Sequence, residues 1–191
     1  MHPLHRHIEN QVDLPDVDFN RLLDICDWVH FKKGSLLIQP GQPIHHQYFV
    51  IGGCLRAYAI DLKGKDHTIQ FAIEDWWMSD YIAYYSEGTS QLHVSCIEDC
   101  ELLKISKKEL VQLFDTLPQL ERFFRRQLEN AFVAFQSRIL TNLKSTAYER
   151  YELFLSKYPN IEQRVKNYHV ASYLGITPES LSRLRKQRTR S

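Results

Sequence analysis

The 191-residue chain lacks any run of about 18 apolar residues, so no segment of it is expected to cross a membrane as a helix. No apolar stretch follows Met1-His2-Pro3-Leu4-His5-Arg6-His7 to serve as a signal peptide, which points to the cytoplasm. Glycine and proline are scarce, at seven each, which excludes collagen-like and low-complexity architectures. Cysteine is sparse too. Cys26, Cys54, Cys96 and Cys100 contain no CxxC pair, and in a cytosolic protein they are expected as reduced, buried thiols rather than as a metal site. What is present is a globular composition, 43% hydrophobic and 25% charged, sufficient for one large domain or two small ones.

A net charge of +1 conceals an uneven distribution. Residues 162–191 carry seven basic groups (Arg164, Lys166, Arg183, Arg185, Lys186, Arg188, Arg190) against Glu162 and Glu179, while the rest carries 17 basic against 21 acidic groups. A basic C-terminal tip on an acidic body suggests one surface dedicated to a polyanion.

Between about Phe31 and Ile105, short alternating segments are separated by turn residues. Ser35–Ile38, Gln47–Ile51, Cys54–Ile60, His67–Ile73, Gln91–Ile97 and Glu101–Ile105 read as strands, with Pro40-Gly41-Gln42-Pro43, Gly52-Gly53 and Asp61–Lys65 as turns. Many short strands with evenly spaced turns predict an antiparallel sandwich or barrel. Alternation of Leu55, Ala57 and Ala59 with Arg56, Tyr58 and Ile60 predicts a half-buried strand, with Arg56 solvated or paired outside. Pro15–Ile25, with Val17, Leu22, Leu23 and Ile25, fits a short helix. His2, His5 and His7 are expected on a mobile terminus.

After Ile105 the period changes. Leu117, Leu120, Phe124, Leu128, Ala131, Phe135, Ile139 and Leu143 recur at threes and fours, with Phe123 and Phe132 widening the stripe, so residues 116–144 predict one long amphipathic helix. One small barrel cannot cover such a stripe, and a second copy of the chain is the natural cover. The alternative is a helix packed only within its own chain. Thr146-Ala-Tyr-Glu149 reads as a capping box opening a further helix that stops before Pro159, which sets a boundary near Lys144–Ser145.

Asn167–Lys186, NYHVASYLGITPESLSRLRK, contains two short helices around Gly175. Val170, Ala171 and Leu174 line the inner edge of the first, Ile176 fills the turn, and Leu181 and Leu184 face inward from the second. Gly175 permits a positive φ, Thr177 is a plausible N-cap and Pro178 suits the first helical position. This pattern is that of a DNA-binding helix-turn-helix. Glu179, Ser180, Ser182, Arg183 and Lys186 would face outward. Arg183 suits guanine O6 and N7, Glu179 suits cytosine N4, Thr177 and Ser180 suit phosphates or bases, and Arg185, Arg188 and Arg190 would supply phosphate charge. A plain helical hairpin with a solvated basic face is the competing reading.

Taken together, an α+β chain with an antiparallel β jelly-roll or barrel, a long dimerisation helix and a C-terminal helix-turn-helix resembles the Crp/Fnr transcription regulators. The resemblance rests on KGSLLIQPGQPIHHQYFVIGGCLRAYAID, KGKDHTIQFAIEDWWMSD, CIEDCELLKI, RYELFLSKYP and YHVASYLGITPESLSRLRK. The EDWWMSD and YHVASYLGITPESLSRLRK stretches are most similar to the Bacteroidetes branch. It implies a barrel sensor domain at 1–115, a dimerisation helix at 116–144 and a DNA-binding domain at 145–191. It further implies a homodimer on a pseudo-palindromic double-stranded DNA site, with RNA polymerase as a further partner, a small-molecule effector in the barrel and no catalysis. By alignment Glu179, Ser180 and Arg183 take the base-contacting positions, with His169, Thr177, Ser182, Arg185 and Lys186 as further DNA-binding residues.

The resemblance breaks at the ligand. Where cyclic-nucleotide binders place a glycine–glutamate pair and an arginine followed by a hydroxyl residue, this chain has Met78-Ser79 and Ser90-Gln91. Without that arginine a cyclic phosphate lacks its charge partner, so cyclic AMP is not expected. The effector pocket is assigned to Trp77, Ser79, Asp80, Ser90 and Gln91, with Trp76 and Trp77 as lining or core. No cofactor is expected. The cysteines do not match an iron–sulfur pattern, and ending at Ser191 leaves no β-hairpin wing. His45-His46 with His93 raises a metal-dependent cupin enzyme as a remote reading, but three or four convergent ligands are not evident. A barrel-domain binding module whose helix-turn-helix serves protein contacts is the other alternative.

Overall fold

A computed structural model describes residues 1–189. Its elements, in chain order, are α1 (Pro3–Glu9), α2 (Asp16–Leu23), β1 (Cys26–Phe31), β2 (Leu36–Ile38), β3 (His46–Gly52), β4 (Leu55–Ile60), β5 (Asp66–Ala72), β6 (Trp77–Met78), α3 (Tyr81–Ser86), β7 (His93–Cys96) and β8 (Cys100–Ser106). After these come α4 (Lys107–Phe114), α5 (Pro118–Lys144), α6 (Ala147–Lys157), α7 (Ile161–Arg164), α8 (Asn167–Leu174) and α9 (Pro178–Arg188).

The strands form two antiparallel four-stranded sheets, ordered β1-β8-β3-β6 and β2-β7-β4-β5. Alternate side chains fill the space between them, including Tyr48, Val50, Leu55, Ala57, Val94 and Leu102. The opposite faces are not left to water. Phe49, Leu103 and Ile105 point out of the first sheet into a second core made by α1, α2, α4 and the start of α5. Phe71 points out of the second sheet into a third core with Tyr151, Phe154, Tyr158, Val170 and Leu174 of the C-terminal helices. Because both faces of each sheet are covered, simple alternation fails where it was expected: Leu55, Arg56 and Ala57 of β4 are all buried.

Several sequence expectations are corrected here. The N-terminal histidines do not sit on a loose end. Leu4 and Ile8 of α1 are fully buried, His5 is buried with its Nε2 2.7 Å from the Leu14 carbonyl, and His7 lies edge-on to Phe123. On α2 the inward residues are Phe19 and Leu22, whereas Val17 is exposed. The barrel opens five residues earlier than Phe31, because Cys26–Phe31 pairs with β8 along its whole length. The helices α3 and α4 fall in stretches that gave no clear period.

Helix α5 divides its stripe between two environments. Leu117 just before the helix, with Leu120, Phe123 and Phe124, packs onto the barrel, so the first turns are covered within the chain. Leu128, Phe132, Phe135, Ile139, Leu140 and Leu143 are exposed. Among the described residues no helix is long and apolar enough to cross a membrane.

Candidate nucleic-acid interface and barrel cassette

The helix-turn-helix is built as its sequence prescribes. Helix α8 ends at Gly175 with φ +68°, and the N–H groups of Gly175 and Ile176 return to the carbonyls of Ser172 and Ala171. Thr177 Oγ1 accepts the Ser180 N–H at 3.3 Å and Pro178 occupies the first turn, so α9 starts without an unmet donor there. Val170, Ala171, Leu174 and Leu181 are buried against α6 and α7. A capping box of Thr146 and Glu149 opens α6.

That packing leaves the outer face of α9 in solvent. Glu179, Ser182, Arg183 and Lys186 are exposed and Ser180 is half-buried. Arg183 donates to Ser180 Oγ at 3.0 Å, which extends its guanidinium along the helix. Glu179 stays below the usual carboxylate range through its own backbone N–H, the Thr177 hydroxyl and Arg183, so the face presents one acceptor among cations.

Not every expected DNA-binding residue reaches this face. Arg185 turns inward, donating to Glu162 Oε1 at 2.5 Å and Asn167 Oδ1 at 2.6 Å. Arg188 pairs with Glu152 at 3.2 Å. His169 is half-buried on the barrel side of α8, beside Arg56 and Asp66, and its ring is tilted 52° against that of Tyr168. Burial first, then the Arg56 and Lys166 charges, push its pKa down to about 4, against a smaller pull from Asp66. Arg190 lies outside the described residues.

Helix α8 is tied to the edge of the second sheet. β5 is the outer strand there, and its free backbone groups are met by side chains. The Thr68 N–H donates to Ser172 Oγ at 2.9 Å, and Ser172 Oγ donates to the Asp66 carbonyl at 3.0 Å. Arg138 of α5 reaches the carbonyls of Ile69, Thr68 and Tyr173 and stacks 4.0 Å above the Tyr173 ring. Beneath α8, buried Arg56 donates to Thr68 Oγ1 at 2.8 Å and pairs with Asp66 at 2.8 Å. Arg56 is therefore paired and buried, not solvated. A second tie joins Arg164 to Glu74 with two bonds of 2.7 and 2.8 Å and to Glu98 at 3.0 Å. Burial works against the Glu74 charge, but Arg164 and the Gly53 N–H hold its carboxyl below the usual range.

In the barrel cassette, three of the five predicted residues, Asp80, Ser90 and Gln91, meet. Asp80 caps α3, accepting from the Ile82 and Ala83 N–H groups, and also accepts from Ser90 Oγ at 2.7 Å and the Gln91 N–H at 3.2 Å. Ser79 Oγ donates to the His46 carbonyl, and Gln91 joins through its backbone alone. Trp77 does not join them. It packs between Phe49 and Phe124 on the outer side of the first sheet. Trp76 lies against Tyr158 with Lys157 above its ring. A carboxylate that is 2% exposed occupies the centre of the cassette, with no cation paired to it among the described residues. A cyclic phosphate placed there would meet like charge, so these residues do not fit one. His46 and His93 stand on different sheets, and among the described residues no three metal-ligating side chains converge.

Known proteins place this architecture. Residues 28–116 match the cyclic nucleotide-binding domain model. Two curated relatives are the electron transport regulator A of Shewanella oneidensis, 24% identical over 166 residues, and the transcriptional activator protein anr of Pseudomonas aeruginosa, 25% identical over 169 residues. Each alignment covers 80% of this chain, and the chain spans 65% and 66% of their lengths. The same fold occurs in the c-di-GMP responsive global regulator CLP of Xanthomonas campestris, with TM-score 0.72, 17% identity and 92% of both chains covered. It occurs also in FixK2 of Bradyrhizobium japonicum, with TM-score 0.73, 18% identity and 85% of this chain and 84% of that one covered. Residues 28–116 are thus similar to the cyclic nucleotide-binding domain. The chain as a whole is similar to the two curated regulators and shares the fold of CLP and FixK2.

Proposed function

We propose that this protein is a dimeric, sequence-specific DNA-binding transcription regulator of the Crp/Fnr type, not an enzyme, acting in the cytoplasm. The observation that carries the reading is α9: its inner face is fixed by Leu181 in a buried core, while Glu179, Ser182, Arg183 and Lys186 are exposed on the other side. In this reading Arg183 reads guanine, Glu179 and Ser180 contact neighbouring base edges, and Thr177, Ser182 and Lys186 contact bases or phosphates. Arg185 and His169 act instead by holding the helices in place.

The exposed half of α5 supports the dimer. Seven large apolar side chains from Leu128 to Leu143 lie in water in one chain, and a second α5 would cover them. Residues 1–115 then serve as sensor, 116–144 as dimer helix and 145–191 as DNA-binding domain. A small-molecule effector other than a cyclic nucleotide would act by changing how the two α5 helices pair, and RNA polymerase is the expected partner on DNA. Selection of sequences from random duplex DNA by the purified, ligand-free chain tests the reading. A two-fold symmetric motif with half-sites about 10 bp apart is expected. Absence of enrichment, with DNA retention that does not weaken as salt rises, would favour protein contacts for the helix-turn-helix.

A further inference from the structure

Helix α9 carries four cations, and the fold divides them into two pairs. A helix turns about 100° per residue, which puts Arg185 and Arg188 within about 40° of buried Leu181 and puts Arg183 and Lys186 about 140–160° away from it. The two outward cations are exposed. Each inward arginine meets a carboxylate from another helix, Glu162 of α7 for Arg185 and Glu152 of α6 for Arg188.

The two ion pairs differ in how firmly they are held. Arg188 and Glu152 are 50% and 41% exposed, so water screens them. Arg185 and Glu162 are 28% and 24% exposed and are fixed from several sides. Glu162 Oε1 accepts from Arg185 Nε at 2.5 Å and from the Tyr151 hydroxyl at 2.8 Å, and Tyr151 is itself buried. On the same short helix, Ile161 is fully buried and Arg164 is bonded to Glu74 and Glu98 of the barrel. The carboxylate therefore stands on a rigid mount.

The guanidinium that it holds lies beside the start of α8. Arg185 Nη1 donates to Asn167 Oδ1 at 2.6 Å, and Asn167 is the exposed first residue of that helix. In a helix-turn-helix on DNA the first helix crosses the phosphate backbone while the second enters the groove. Arg185 Nη2 is buried and has no acceptor among the described residues, so the group keeps an unused donor for a further oxygen.

We propose that Glu162 withholds Arg185 from the phosphate backbone and so limits the sequence-independent affinity of this protein for DNA. Phosphate contacts carry no sequence information. A further cation on phosphate strengthens binding to every duplex alike, and the excess of non-specific sites then competes with the sites selected through α9. Glu162 acts through Arg185 and is a positioning residue. The inference rests on the DNA-binding reading of α9.

Binding of the full-length chain to a random-sequence duplex over a salt series tests it, with a thermal melt of each variant beside it. Glu162→Gln keeps an oxygen for Tyr151 and removes the charge that holds Arg185. Its salt slope should steepen by about 0.9 per chain, and its affinity at about 0.1 M salt should rise about tenfold. Arg185→Ala should leave slope and affinity as in the wild type, because the arginine that it removes does not touch DNA. An effect of net charge alone would move the two variants by equal amounts in opposite directions, and that result would overturn the proposal. An unchanged slope in Glu162→Gln would overturn it as well. So would a slope shallower by about 0.9 per chain in Arg185→Ala, which decides the matter even if Glu162→Gln does not fold. A wild type that melts cooperatively yet retains no duplex at low salt would remove the DNA-binding reading and the proposal with it. A wild type that binds, beside any of the adverse variant results, removes the proposal alone.

Discussion

Thr68 on the barrel and Ser172 on the first helix of the helix-turn-helix share a hydrogen bond of 2.9 Å, with the strand N–H donating to the hydroxyl. The same hydroxyl donates to Asp66. One side chain of the helix-turn-helix thus continues the ladder of an outer strand. Ser172→Ala should leave the Thr68 N–H and the Asp66 carbonyl short of partners and cost about 1–2 kcal/mol. Urea unfolding would read this as a lower midpoint at unchanged slope, and an unchanged midpoint would argue that water replaces the hydroxyl.

Asp80 is expected to be a structural residue. Asp80→Ala removes the cap of α3 and the shared acceptor of Ser90 and Gln91, a loss of about 2–3 kcal/mol. Thermal unfolding checks the magnitude. Calorimetric titration of the wild type with cyclic AMP should give no heat of binding, and a saturable signal would refute the like-charge argument.

His169 makes stability depend on pH. Its folded pKa of about 4 lies below the ordinary value of 6.5, so between those values the unfolded chain binds the extra proton. Stability is therefore full above about pH 6.5 and falls as pH drops toward 4. Because His169 is only half-buried, the loss is about 1–2 kcal/mol rather than the full value of the shift. Arg56, Lys166 and Asp66 face it, and the Tyr168 ring lies tilted against it. Unfolding midpoints measured from pH 7 to 4 should show the slope in wild type and a flatter profile in His169→Gln.

Two arginines on α9 should separate cleanly. Arg183→Ala should lose preference at one base pair per half-site, about 1–3 kcal/mol, without changing the melting temperature. Arg185→Ala breaks the bonds to Glu162 and Asn167 and should lower the melting temperature while leaving base preference intact. Sequence selection beside thermal unfolding distinguishes the two.

The exposed half of α5 is the surface assigned to the proposed dimer. Phe135→Glu with Ile139→Glu should turn a dimer into a folded monomer in sedimentation velocity. A wild-type monomer at micromolar concentration would contradict the dimer.

The parts legible in the sequence were those governed by local rules. Gly175, Thr177 and Pro178 mark the turn, Thr146 and Glu149 mark a helix start, and the three-and-four spacing to Leu143 marks α5. What escaped depended on which surfaces meet. Arg56 looked outward by alternation, and only the arrival of α8 buries it. His169 and Arg185 are groove residues by resemblance to the family, yet one faces the barrel and the other Glu162. The strand Cys26–Phe31 was missed because Cys26-Asp27-Trp28-Val29-His30 alternates poorly, and its place is set by the full-length pairing with β8. The role of Asp80 had a faint signal, an aspartate just before an aromatic helical run.

Arg138 leaves α5 well past its buried start and closes on three carbonyls, two from the barrel edge and one from Tyr173 of the helix-turn-helix. Sheet edge, long helix and helix-turn-helix therefore meet on one planar cation. Any shift of α5 against α8 must either drag the strand edge with it or strip that cation from its carbonyls, so the three elements move as one or part abruptly.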